Sequence, residues 1–183
     1  SFSDDAAKTV AATPDGGCFV AGDTLGPWFP GAIGGEDAFQ ARFDGAGTLL
    51  WGSQFGTSAS DSVRLAISDG ARGVFLAGET SGSLGGPYAG ATDAWFAHID
   101  SAGSRLWTRQ IGTTGGEQVR GLASDGRGGI FVAGFTAVTT GNYSWFARFD
   151  GGCRRRGRGQ QGKWLELLKL TVHGIAYGMK STG

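Results

Sequence analysis

One apolar phrase is written three times in this chain at a fixed spacing: CFVAG at 18–22, VFLAG at 74–78 and IFVAG at 130–134, each 56 residues after the last. A period of this length belongs to arrays of supersecondary units, so it constrains the fold before any single residue does. Other anchors keep the same offset. DAFQARFD (37–44) returns as DAWFAHID (93–100), GTLLWGSQFGT (47–57) as GSRLWTRQIGT (103–113), and DSVR (61–64) as EQVR (117–120), with DAAK (5–8) a looser copy. The third copy, YSWFARFD (143–150), follows a connection six residues shorter. The expected units are 3–57, 58–113 and a partial third at 114–152, about two and two-thirds copies in all.

Within a unit the pattern predicts four short antiparallel strands. The first, such as SVRLAIS (62–68), ends at a glycine turn, DGARG (69–73) or DGRGG (125–129), of the kind that joins hairpins. The apolar phrase is the second strand, and its unbroken run predicts burial on both faces. In the third strand Trp95, Ala97 and Ile99 share one face, as do Phe39, Ala41, Phe43 and Trp145, Ala147, Phe149. A second tight turn leads to a fourth strand carrying Trp51 or Trp107. Four strands on short turns in about 50 residues match one β-propeller blade. The fold class expected is all-β, built of propeller-type blades in an incomplete ring. Glycine supplies 36 of 183 residues, which suits a turn-rich chain of this kind.

Propeller blades bury their large residues against neighbours, and a ring closes with about four to eight of them. An array of fewer than three is therefore expected either to be a piece of a longer propeller or to complete a ring with other chains, and its open edges invite self-association. The opening SFSDDAAKTV lacks Met and a charged-then-apolar leader, as expected of a processed chain or a fragment. No apolar run approaches the roughly 20 residues of a membrane-spanning helix.

Over residues 3–152 the pattern D-A-[FW]-x-A-x-[FI]-D-x-x-G-x-x-L-W-x-x-Q-[FI]-G-T, followed by [FI]-[VL]-A-G-x-T-x-G, resembles the bacterial SBBP repeat, a β-propeller repeat. That resemblance implies a secreted or cell-envelope bacterial protein, with a propeller of binding or scaffolding type and no catalytic residues of its own. The G-x-x-L-W element also resembles the tryptophan-docked blades of quinoprotein dehydrogenases, which makes an enzyme-associated propeller the alternative. A pure structural spacer is a third reading.

After residue 152 the pattern stops. Residues 1–152 carry 9 Lys/Arg and 15 Asp/Glu, whereas residues 153–183 carry 7 and 1, and Gly157 stands where the repeat calls for Trp. A shifted reading frame or a misjudged gene end explains this basic tail; a genuine tail is the other possibility. Its Arg154, Arg155, Arg156 and Arg158 lack interleaved aromatics and read as a solvated run, so no nucleic-acid partner is expected.

The chemistry expected is sparse. Two cysteines, Cys18 and Cys153, set no disulfide framework, and Cys18 takes the place of Val74 and Ile130. His98 stands where the other copies have Arg42 and Arg148 and reads as a solvent-tolerant polar site; with two histidines in the chain, no zinc set assembles. No serine lies in a G-x-S-x-G elbow. Asp5, Asp61 and Glu117 recur at one position, and Lys8, Arg64 and Arg120 three residues on, which is the signature of an ion-pair or turn role repeated in each unit. The Asp-Gly turns lack the run of oxygen ligands of a calcium loop. No catalytic, cofactor or metal site is expected. The candidate contacts with a protein, glycan or polymer partner are Trp28, Phe29, Tyr88 and Tyr143, large aromatics in variable connections, although packing between blades would serve them equally.

Overall fold

A computed structural model describes residues 4–149; the basic tail lies outside the described residues. These residues form eleven strands and no helix: β1 (Asp5–Ala12), β2 (Cys18–Thr24), β3 (Asp37–Phe43), β4 (Leu49–Phe55), β5 (Asp61–Ser68), β6 (Val74–Thr80), β7 (Asp93–Ile99), β8 (Arg105–Ile111), β9 (Gly116–Ser124), β10 (Ile130–Val138) and β11 (Gly141–Phe149). They make three antiparallel meanders, β1-β2-β3-β4, β5-β6-β7-β8 and β9-β10-β11, with every strand beside its sequence neighbour. The architecture is all-β with blade-like sheets, and the sheets are open rather than closed into a ring.

Two apolar cores hold the three sheets in a row. Phe19, Ala21, Ala38 and Phe55 of the first sheet pack on Val63, Val74, Leu76, Trp95 and Ile99 of the second. The opposite face of the second sheet, with Phe75, Ala77, Ala94 and Phe96, packs on Val119, Ile130, Val132, Trp145 and Phe149 of the third. Position in this row decides how far the apolar phrase is buried. All seven residues of β6 are buried, whereas in β2 and β10 alternate residues on the outward face keep partial exposure. Identical sequence pattern thus meets different surroundings.

Each first strand carries a one-residue bulge opposite the glycine of the apolar phrase. Pairing skips Lys8 between Ala7↔Gly22 and Thr9↔Ala21, Arg64 between Val63↔Gly78 and Leu65↔Ala77, and Arg120 between Gly121↔Ala133 and Val119↔Gly134. The bulge presses backbone onto that glycine: a Cβ at Gly78 would run into the Ser62 carbonyl oxygen and the Trp95 ring. Gly134 meets the same pair of obstacles in the Gln118 carbonyl and Trp145. A bulge also lifts its extra residue out of the ladder and re-aims it, which places one cation per sheet at the same point of the first strand.

The Asp-Gly turns are held by their own aspartates. Asp69 Oδ1 accepts the N–H groups of Ala71 and Gly73 at 2.8 and 3.0 Å, and Asp125 Oδ1 those of Arg127 and Gly129 at 2.8 Å each. Gly70 has φ +83°, a left-handed conformation that glycine adopts without steric cost.

Candidate functional site: a polar cavity at the first sheet junction

Most recurring polar residues are engaged with the framework. Asp61, fully buried, accepts the Thr80 hydroxyl at 2.5 Å and the Thr57 hydroxyl at 2.9 Å, tying the end of β6 to the segment that leaves β4. Glu117 takes the Thr113 hydroxyl at 2.5 Å in the next copy, and Asp5 accepts the Thr24 hydroxyl in the first. Gln110 fastens the base of the variable connection: its Oε1 accepts the N–H groups of Leu84 and Gly85 at 2.9 Å, and its Nε2 donates to the Gly82 carbonyl at 2.9 Å. Gln54 repeats this with Phe29 and Gly26.

A second recurring tie joins β3-type strands to the preceding turn. Arg42, His98 and Arg148 pair directly across the ladder with Phe19, Phe75 and Phe131. Each cationic or imidazole group lies by that ring, at 4.8, 4.3 and 5.6 Å, and reaches a turn carboxylate: Asp15, Asp69 and Asp125. His98, expected as a solvent-tolerant polar site, is mostly covered and paired. Its ring is wedged beside Phe75 and Trp107, and its Nε2 lies 3.0 Å from Asp69 Oδ2. All three carboxyls are held below their usual range. For Asp15 the Thr13 hydroxyl leads and Arg42 follows. For Asp69 and Asp125 burial pushes upward, and the bonds from His98 or Arg148 and from the turn amides outweigh it.

The bulged cations behave differently from copy to copy. Lys8 forms an ion pair with the buried Asp23, and Arg64 donates to Glu79 Oε2 through Nε and Nη2 at 3.1 and 2.8 Å. Arg120 has Phe135 where its counterparts have a carboxylate; its guanidinium stands 5.0 Å from that ring and donates to Gln118 Oε1 at 2.6 Å. Between Lys8 and Arg64, where the first two sheets meet, lies a polar cavity of about 200 Å3 lined by Glu36, Ser60, Ser62 and Glu79 among others. Burial pushes the Asp23 carboxyl above its ordinary range; Lys8 opposes this and the neighbouring Glu36 carboxylate adds to it. The Ser60 hydroxyl, bonded to Glu36 Oε2, holds the Glu36 carboxyl down against its own burial. Of these two adjacent acids, Asp23 is the one that retains a proton more readily.

The aromatic candidates belong to three different repeat units. Trp28 stacks on Phe29 with ring centroids 4.8 Å apart, and both cover Phe39, which makes them a lid over the outward face of the first sheet. Phe29 also fills the space above Gly52, where any Cβ would strike its ring. Trp28 nonetheless keeps 56 % of its surface in solvent, and Tyr88 keeps 39 % while its hydroxyl donates to the Ala91 carbonyl at 2.8 Å. Tyr143 is not in a loop. It lies within β11 opposite Thr136, because the shorter third connection closes as a hairpin over residues 139–140.

An apolar hollow of about 480 Å3 opens on the outward face of the third sheet, lined by Arg120, Phe135, Trp145 and Phe146 among others. On the same outward face Phe131 and Phe146 stack, 5.8 Å apart, each 37 % exposed. In comparisons with known proteins the chain matches no family model and no curated protein. Among the described residues no three or more His, Cys, Asp or Glu side chains group around a metal position, and no helix is long and apolar enough to cross a membrane.

Sequence reasoning missed the cavity. The acids that line it, Glu36 and Glu79, and Asp23 beside Lys8 sit outside the recurring anchors: Asp23 and Glu79 follow the glycine of the apolar phrase, and Glu36 precedes β3, so no motif flagged them. The available signal was the replacement of Asp23 and Glu79 by Phe135 in the third copy, which marks this position as one that varies.

Proposed function

We propose that the chain is a stretch of β-propeller of the SBBP-repeat kind, serving a secreted or cell-envelope bacterial protein as a non-enzymatic binding or scaffolding module. One observation carries this reading. The polar side chains that repeat from sheet to sheet are mostly bonded to each other or to turns, whereas Trp28 and Tyr88, two of the large aromatics offered to solvent, belong to connections that differ between copies. Fixed framework and variable rim is how loop-borne recognition is built.

The outward face of the third sheet supports the propeller part of the proposal. Phe96 of the second sheet is buried by Trp145 and Phe149 of the third, with centroids 6.4 and 5.1 Å away. Phe146 occupies the same place in the third sheet as Phe96 in the second, and it stands half-open beside Phe131. The occupant that fits is a further sheet of the same kind, entering with an aromatic residue on its third strand.

The test is binding of the chain to bacterial envelope fractions and to a glycan array, alone and with Trp28→Ala or Tyr88→Ala. We expect at least one surface to be bound, with about fivefold or greater loss in a variant whose circular dichroism is unchanged. Binding that neither variant alters would contradict loop recognition and leave a structural spacer.

A further inference from the structure

The two ends of the row carry the two halves of a contact that the chain makes twice within itself. On the outward face of the first sheet, Cys18 and Val20 hold the positions of Val74 and Leu76, which are wholly buried where the second sheet meets the first. Cys18 and Val20 stay half-buried, and Val10, paired with Val20, is 63 % exposed. On the outward face of the third sheet, Phe131 and Phe146 hold the positions of Phe75 and Phe96, which are wholly buried where the second sheet meets the third. The step between sheets also recurs: Asp61 N–H donates to the Glu36 carbonyl at 2.8 Å, and Glu117 N–H to the Thr92 carbonyl at 2.8 Å. A third step of this kind sets the first sheet of another copy on the third sheet of this one.

Charge selects this chain as the occupant. The bulged cation of the first sheet, Lys8, is met by Asp23 of its own sheet, and the residue that the second sheet brings to the same cavity is the neutral Ser60. Arg64 of the second sheet is met by Glu79 of its own sheet, and the third sheet brings Gly116, bridged to Thr92 on the cavity wall that Arg64 shares. Arg120 of the third sheet has Phe135 in place of that acid and stands exposed over the apolar hollow. The residue of this chain that holds the position of Ser60 and Gly116 is Asp4. Its carbonyl accepts the Leu25 N–H at 3.3 Å, as the Ser60 carbonyl accepts the Ser81 N–H at 2.9 Å, and the residue is exposed. The acid absent from the third sheet is thus present on the face that the same step brings to it, an arrangement that steers docking and fixes its register.

We propose that a second copy of this chain docks head to tail on the third sheet, with its Asp4 paired to Arg120 and its Val10 and Val20 covering Phe131 and Phe146. A head-to-tail contact uses unlike faces, so it either closes a ring or runs on as a filament. Two copies bring six sheets, inside the roughly four to eight of a closed propeller, and three bring nine, outside it; the ring is a dimer. The inference rests on the propeller reading above and takes Trp28, at the place of the interface residue Leu84, into the contact, leaving Tyr88 at the rim.

Sedimentation of the full 183-residue chain tests it. We expect a monomer of 18.8 kDa at about 1 μM and a particle of twice that mass at about 100 μM, for a Kd on the order of 10 μM. Arg120→Glu and Asp4→Arg, both at exposed sites and checked by circular dichroism, should each weaken the dimer about tenfold or more. An equimolar mixture of the two variants should restore it, because each chain then meets its opposite charge at both contacts. A monomer at about 100 μM overturns the proposal, leaving the face to a further sheet or to the chain's own tail. So does a mass that keeps rising with concentration, a dimer indifferent to both reversals, or a mixture that stays monomeric. A monomer that binds envelope fractions or glycans overturns the ring and keeps the binding-module reading; a dimer that binds neither keeps the ring and sinks that reading.

Discussion

Phe55, at the end of the first sheet's outer strand, meets Trp95 of the second sheet edge to face, with ring centroids 5.5 Å apart. Trp95 is fully buried, and its indole N–H donates to the carbonyls of Ser62 and Glu79 at 3.1 and 3.2 Å. One side chain thus joins three strands of its own sheet to a neighbouring sheet.

Truncating the buried aromatics of the second sheet should be severe, and truncating Phe146, the counterpart of Phe96 on the outward face, should not. Trp95→Ala or Phe96→Ala is expected to cost about 3–5 kcal/mol, the range for large aromatics lost from a core. Phe146→Ala, at a site 37 % exposed, should cost about 1 kcal/mol or less. Urea unfolding of the three variants checks this, and comparable losses at Phe96 and Phe146 would contradict the row order of the sheets.

The glycine of the apolar phrase should tolerate no side chain. Gly78→Ala places a methyl group against the Ser62 carbonyl and the Trp95 ring, so a loss of about 2 kcal/mol or more is expected. Gly70→Ala sets a methyl group in open space and acts through its φ of +83° alone, at about 1 kcal/mol. Thermal denaturation of the pair separates crowding from backbone strain.

Acid should unfold the chain through its turn carboxylates. The carboxyls of Asp15, Asp69 and Asp125 are held below their ordinary range, so their stabilisation is present above the unfolded value, about 3.9, and is lost as pH falls through the lowered folded values. Asp23 works in the opposite sense. Its raised folded value favours the native state on the acid side, and that benefit is lost as pH rises through it. Stability measured from pH 7 downward should therefore hold to about pH 4 and then decline. Asp69→Asn should flatten that decline, and an unchanged acid limb in the variant would exclude the His98–Asp69 tie as a contributor.

The repeat made the sheets legible, because spacing alone aligns Trp51 with Trp107 and Phe39 with Trp95. The same regularity hid what depends on neighbours. Phe75 and Phe131 occupy one motif position, yet Phe75 is wholly buried and Phe131 is 37 % exposed, since only the second sheet is covered on both faces. His98 read as a solvent-tolerant polar site because Arg42 and Arg148 share its position, but those arginines are themselves packed on phenylalanine rings. Likewise the bulges at Lys8, Arg64 and Arg120 leave no mark in a strand pattern; the recurring cation was visible, and its displacement from the ladder was not.

Amide hydrogen exchange on the full chain tests the row of blade-like sheets most directly. With β6 covered on both faces and β2 and β10 on one, the slowest amides should lie in β6, and those of β10 and β11 should exchange well before them. Protection in β10 equal to or greater than that in β6 would contradict the arrangement of the second sheet between the other two.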